Sequence, residues 1–152
     1  MKKVAGNDFD LQVRSSELDS YQHVNNAAYL EWFEDARERF LRTRGLDYAW
    51  FPAELGLFIV VVNIDCDFLS AAKSGEHVQV STRLAKTGRT SIVFRHVSRR
   101  AGDRRIRARA RVVMCFADPD DRPVPIPEAF LERFAVSPEG DAWTDEEGGE
   151  RT

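Results

Sequence analysis

Cysteine is scarce: there are two, Cys66 and Cys115, far apart and in no Cys-x-x-Cys pair. Both fall in strand-like runs, which suits reduced, packed thiols and a cytoplasmic protein rather than a disulfide framework. Three histidines are present, with no His-x-x-x-His spacing, and Asp65 and Asp67 flank Cys66 without the further ligands a metal needs. No metal is expected. No serine sits in a Gly-x-Ser-x-Gly elbow, and no glycine-rich phosphate loop occurs. The longest apolar run, Leu55 to Val62, is eight residues including Gly56. A membrane-spanning helix needs roughly 20, so no membrane integration by helices is expected. Lys2 and Lys3 are followed by Asn7, Asp8 and Asp10, where a signal peptide would be apolar.

What is present suits a folded domain. Of 152 residues, 43% are hydrophobic, with ten Phe, three Trp and three Tyr, enough for a core in one domain. The net charge of −3 is unevenly placed: residues 137–152 carry −5, which leaves +2 for the rest. Composition therefore divides the chain into a single domain over residues 1–136 and a flexible acidic tail over 137–152. The mildly basic body is compatible with an anionic small ligand and too weakly charged to demand nucleic acid.

Hydrophobic periodicity gives the order of elements. Phe9, Leu11 and Val13 alternate with polar residues, as on a strand. Val24, Ala28, Trp32, Ala36 and Phe40 recur every four residues, widened by Tyr29 and Phe33, and predict a helix over about 26–43. Asn25 or Asn26 can cap it and Gly45 can stop it. Residues 48–54 read as a loop. Four strands follow, marked by Phe58, Val60, Val62, Ile64, Cys66 and Phe68; by Val78, Val80, Thr82 and Leu84; by Ile92 and Phe94; and by Ile106 to Phe116. Turns separate them, and Glu128 to Phe134 can form a short helix. The class is α+β, an antiparallel sheet of about five strands wrapped around one long helix. So small a sheet leaves edges open, and a homo-oligomer is expected.

The chemistry-bearing stretch is Leu18-Asp19-Ser20-Tyr21-Gln22-His23-Val24-Asn25-Asn26-Ala27-Ala28-Tyr29. The first N–H groups of a helix lack internal partners and carry partial positive charge, so they can hold a carbonyl oxygen that becomes an oxyanion. Asp19, just upstream, can attack such a carbonyl or activate water, and His23 can orient the groups or protonate a leaving group. The same residue types also serve as turn and cap residues with a surface histidine. Arg105, Arg107, Arg109 and Arg111 line one strand face, read as an outer face that is solvated or paired with acids of a neighbouring subunit. With no aromatic interleaving, nucleic acid is not the expected partner. Cys66 or Cys115 as nucleophile remains an alternative, although both occupy core-like positions.

The string Asp-x-x-x-His-Val-Asn-Asn-x-x-Tyr, followed by Glu31-Trp32-Phe33-Glu34-Asp35-Ala36-Arg37, resembles the signature of hotdog-fold acyl thioesterases. It is similar to the 4-hydroxybenzoyl-CoA thioesterase branch, including bacterial acyl-CoA thioester hydrolases, and to plant acyl-ACP thioesterases. Ile64-Asp65, the turn Gly88-Arg89-Thr90-Ser91 and the arginine-rich last strand extend the likeness over residues 7–134.

The resemblance implies a hotdog fold and a cofactor-free acyl-CoA thioesterase. Acyl-ACP is an alternative carrier, and a hydratase or a non-catalytic acyl-binding module are alternative roles. Asp19 stands at the catalytic carboxylate and His23 at the histidine of the plant enzymes, where Tyr21 departs from their asparagine. The backbone N–H of Asn26 stands at the oxyanion hole, with Asn25 positioning the groups and Tyr29 on the substrate side. Lys86, Arg89 and Ser91 stand where relatives approach the nucleotide or pantetheine end of CoA. Glu34 and Arg37 match the family and read as structural. Sites of this kind lie between subunits, so a dimer or dimer of dimers is implied. Trp32, Phe33, Trp50 and Phe51 are candidates to bound the acyl group or to fill the core.

Overall fold

Period-two patterning yields five strands and period-3.6 patterning one long helix in the computed structural model, which describes residues 2–150. The strands are β1 (Gly6–Gln12), β2 (Phe58–Phe68), β3 (His77–Thr87), β4 (Ser91–Arg100) and β5 (Ile106–Ala117). Helix α1 spans Asn26–Arg42, with short helices α2 (Trp50–Leu55) and α3 (Glu128–Leu131). All neighbours pair antiparallel, in the order β1-β3-β4-β5-β2. This is the α+β arrangement expected of a hotdog fold.

Helix α1 buries the stripe that its sequence displays: Ala28, Tyr29, Trp32, Phe33, Ala36, Phe40 and Leu41. Phe33 stacks on His96 with ring centroids 5.1 Å apart, and Phe40 meets Phe94 edge-on at 5.3 Å. Each such side chain contributes about 1.5–3 kcal/mol through burial, so the helix is held by its packed face more than by its own hydrogen bonds. No helix among the described residues is long and apolar enough to cross a membrane.

Three expectations are corrected. Residues 48–54 are not wholly loop: Asp47 accepts the Trp50 N–H at 2.8 Å and starts α2, and Gly56, at φ 64°, ends it. The second strand does not keep one face throughout. Its register with β5 shifts between Val61 and Asn63, so Ile59 and Val61 lie opposite inward-facing Phe116 and Met114. Beyond the shift, Ile64, Cys66 and Phe68 take over that face. A bulge exchanges the two faces of a strand, which alternation alone does not reveal.

The third correction concerns the acidic tail. Through residue 150 it lies across the sheet's outer face (residues 151 and 152 fall outside the described residues). Asp141 accepts from Nε of both Arg95 and Arg111 at 3.0 Å, and Glu147 accepts from Arg83 at 2.8 and 2.9 Å. Trp143, 8% exposed, has the Arg95 guanidinium 4.4 Å and the Arg109 guanidinium 4.6 Å from its ring. The arginine stripe is answered within one chain, where sequence suggested solvent or a neighbouring subunit: Arg111 by Asp141, Arg107 by Glu76, and Arg109 by Asp67 and the Glu147 and Gly149 carbonyls. Charge density alone made the segment look unfoldable; its complement lies on distant strands.

Candidate functional site

Asp19 sits in a tight turn between the 3-10 turn Ser15–Glu17 and α1. Its Oδ1 accepts the backbone N–H groups of Tyr21 at 2.9 Å and His23 at 3.1 Å. The Asp19 N–H donates to the His23 carbonyl at 2.7 Å, closing the turn, and Gln22 adopts φ 62° to make the reversal. One carboxylate oxygen is thus spent on geometry. The other, Oδ2, makes no hydrogen bond among the described residues. Asp19 is exposed, and with His23, Asn26, Tyr29 and Phe68 it lines a cavity of about 260 Å³.

Asn25 caps α1. Its Oδ1 accepts the Ala28 N–H at 2.9 Å and its Nδ2 donates to the Glu17 carbonyl at 3.1 Å. Both ends of the amide are occupied, and Asn25 is not among the cavity's lining residues. Asn25, expected to position the reacting groups, is placed as the cap of α1 and stands outside the cavity's lining. The Asn26 N–H makes no hydrogen bond among the described residues, as the first turn of a helix leaves it. Asn26 lines the same cavity as Asp19.

His23 is exposed; its backbone holds the turn, while its imidazole makes no hydrogen bond among the described residues. Tyr29 is buried, its phenol oxygen accepts the Ala72 N–H at 3.0 Å, and its ring packs on Trp32 and Phe68. Burial raises its pKa, so the phenol stays protonated. Tyr29 therefore forms the cavity's inner wall.

Lys86, Arg89 and Ser91 do not join this group within one chain. The cavity lies where β2 ends at Phe68, whereas Ser91 lies opposite Cys115, beside the start of β2. From His77 to Lys86 along β3 is about 30 Å at 3.3 Å per residue. An extended hairpin carries its turn away from the helix N-terminus, which spacing in the sequence does not show. Trp32, Phe33, Trp50 and Phe51 also stand outside the cavity's lining, and Phe51 is fully buried against Phe116. A second cavity of about 460 Å³ lies beside the other end of α1, lined by Arg37, Tyr48, Phe58, Val60 and Met114.

No group of three or more His, Cys, Asp or Glu side chains suited to a metal occurs among the described residues. Burial, reinforced by Asp67 and Asp65, pushes the Cys66 thiol up to about 12, which leaves it a poor nucleophile. Glu17 is the residue that sequence reading passed over. It is buried, and its Oε2 accepts the Trp32 indole N–H at 2.7 Å. A carboxylate two residues before Asp19 was visible; that it points inward to a donor 15 residues on was not.

Comparison with known proteins gives this geometry a family context. The family model described as the thioesterase-like superfamily matches residues 13–134. A chloroplastic acyl-acyl carrier protein thioesterase of Arabidopsis thaliana is 29% identical over 125 residues, 82% of this chain and 65% of that protein. The long-chain acyl-CoA thioesterase FadM of Escherichia coli is 34% identical over 84 residues, 55% of this chain and 62% of that protein. The chain thus spans somewhat under two thirds of the length of these relatives. The solved 4-hydroxybenzoyl CoA thioesterase from a Pseudomonas species superposes with a TM-score of 0.78 at 21% identity, covering 85% of this chain and 99% of that one.

Proposed function

The chain belongs to the thioesterase-like superfamily, and from that footing we propose that it hydrolyses an acyl-CoA thioester to a free acid and CoA. One observation carries the reading: Asp19, with one carboxylate oxygen unengaged, and Asn26, with an unengaged N–H at the start of α1, line a single cavity. In the proposed mechanism the thioester carbonyl oxygen sits at the Asn26 N–H, where the helix dipole favours developing negative charge. Asp19 Oδ2 attacks the carbonyl carbon, or takes a proton from a water that does. The tetrahedral intermediate collapses and CoA leaves as a thiolate; where Asp19 is the nucleophile, water then cleaves the mixed anhydride it has formed, releasing the acid and restoring the carboxylate. His23, on the cavity rim, protonates or positions the departing group. The named relatives bring acyl-CoA and acyl carrier protein forward as candidate carriers.

A homo-oligomer is part of the proposal. Edge strand β2 leaves Phe58, Val60, Val61, Val62 and Ile64 exposed. Two copies joined there by a twofold axis pair their β2 strands antiparallel, so the Phe58 end of one lies beside the Phe68 end of the other. That brings the partner's Lys86, Arg89 and Ser91 toward the Asp19 cavity, where phosphate groups of CoA need cations. The cytoplasm is the proposed compartment.

Thiol release from short, medium, long and aromatic acyl-CoAs, wild type beside Asp19→Asn, tests the reading. Release that falls about 100-fold or more in the variant is expected. Undiminished release in Asp19→Asn would sink the mechanism. Tight acyl-CoA binding without release would make the chain a binding module, and release only from acyl carrier protein would change the carrier.

A further inference from the structure

We propose that Glu17 is a positioning residue for this reaction, its buried carboxylate holding the Asp19 turn in register with the first turn of α1. The inference rests on the thioesterase reading, because it names how that site is held. Glu17 is 7% exposed although Asp19, two residues on, is exposed. Oε2 accepts the Trp32 indole N–H at 2.7 Å, and Oε1 accepts the Arg14 backbone N–H at 2.9 Å. The Glu17 carbonyl accepts both the backbone N–H, at 2.9 Å, and the Nδ2, at 3.1 Å, of Asn25. Asn25 in turn caps α1 through the Ala28 N–H. One residue therefore ties together the strand exit at Arg14, the turn that carries Asp19, the helix cap, and the helix body at Trp32.

A carboxylate is the group this place requires. Two N–H donors converge on it, and a carboxylate offers an acceptor to each, whereas a glutamine offers one acceptor and one NH₂. The Arg14 guanidinium does not explain the burial: its Nε stands 3.7 Å away and its side chain is 76% exposed. A buried carboxylate is costly unless its oxygens are satisfied, and here N–H groups satisfy them. The distance between Asp19 Oδ2 and the Asn26 N–H is fixed through these bonds. Displacements on the order of 1 Å at such a site cost about 100-fold in rate.

The test is steady-state thiol release by Glu17→Gln, Trp32→Phe and the double variant, each assayed well below its melting temperature. Glu17→Gln is expected to lower kcat about 10-fold or more with KM within about 3-fold. Trp32→Phe should lower kcat less. The double variant should be no slower than Glu17→Gln, because its amide no longer faces an indole donor. Folded Glu17→Gln with kcat within about 2-fold of wild type overturns the proposal, as do losses that simply multiply in the double variant. Should Glu17→Gln fail to fold, Trp32→Phe decides alone: unchanged kcat overturns, and a kcat loss at constant KM supports. A wild type that releases no thiol fells the thioesterase reading and this inference with it; an active wild type matched by Glu17→Gln fells this inference only.

Discussion

Arg37 donates from Nη1 to Nε2 of His96 at 3.1 Å, across the interface between helix and sheet. Arginine has no acceptor, so Nε2 must accept and the imidazole proton sits on Nδ1, 2.9 Å from the Thr82 hydroxyl. His96 is wholly buried, and burial, followed by the nearby Arg37 charge, pulls its pKa well below the usual 6.5.

Stability should therefore depend on pH through His96. Above about pH 6.5 neither folded nor unfolded chain holds the proton; below it the unfolded chain does and the folded chain does not. Stability contributed by neutral His96 is lost as pH falls from about 6.5, at a limiting slope of about 1.4 kcal/mol per pH unit. Urea melts at pH 7.5, 6.5 and 5.5 should show the decline, and His96→Gln should flatten it. An equal slope in that variant would assign the effect elsewhere.

Removal of residues 137–152 should strip acceptors from Arg83, Arg95 and Arg111 and uncover Arg109. A lower melting temperature is expected, with salt-sensitive retention on heparin that the full chain lacks. Trp143→Ala alone should cost about 3 kcal/mol. Asp141, held down to about 2 by Arg111 and Arg95, should hold the segment in place until the pH drops below about 4. Unaltered melting of the truncated chain would show that the segment adds nothing to stability.

Cys66 should be sluggish toward iodoacetamide at pH 8 in the native protein and react readily once unfolded. Cys66→Ser should keep kcat within about 2-fold of wild type. Loss of turnover on that change would revive the cysteine as nucleophile.

Val62, 58% exposed on the unpaired edge of β2, should matter to assembly. Val62→Lys should lower the mass measured by light scattering from dimer or higher to monomer, and thiol release should fall with it. A monomeric wild type with full activity would remove the second subunit from the site.

Much of the fold could be read from the chain because long, regular patterns dominate it. The α1 stripe from Ala28 to Phe40 and the alternation in β5 appear where they were expected. The bulge at Val62 was hidden because apolar residues occupy consecutive positions there, so neither phase of alternation stands out. Asp19, His23, Asn26 and Tyr29 were found together because they are neighbours in sequence. Glu17 and Trp32 meet through a bend of the chain, and Arg95 and Asp141 through a long return across the sheet; such pairings leave no local trace.

The return of residues 137–150 over the arginine face makes the domain three layers deep: helix, sheet and a peptide cover. The family match covers residues 13–134, and this cover follows it. A sheet capped on both sides cannot stack face to face on another sheet. Any contact a second copy makes with the arginine face is made with residues 137–150 and not with the arginines they cover.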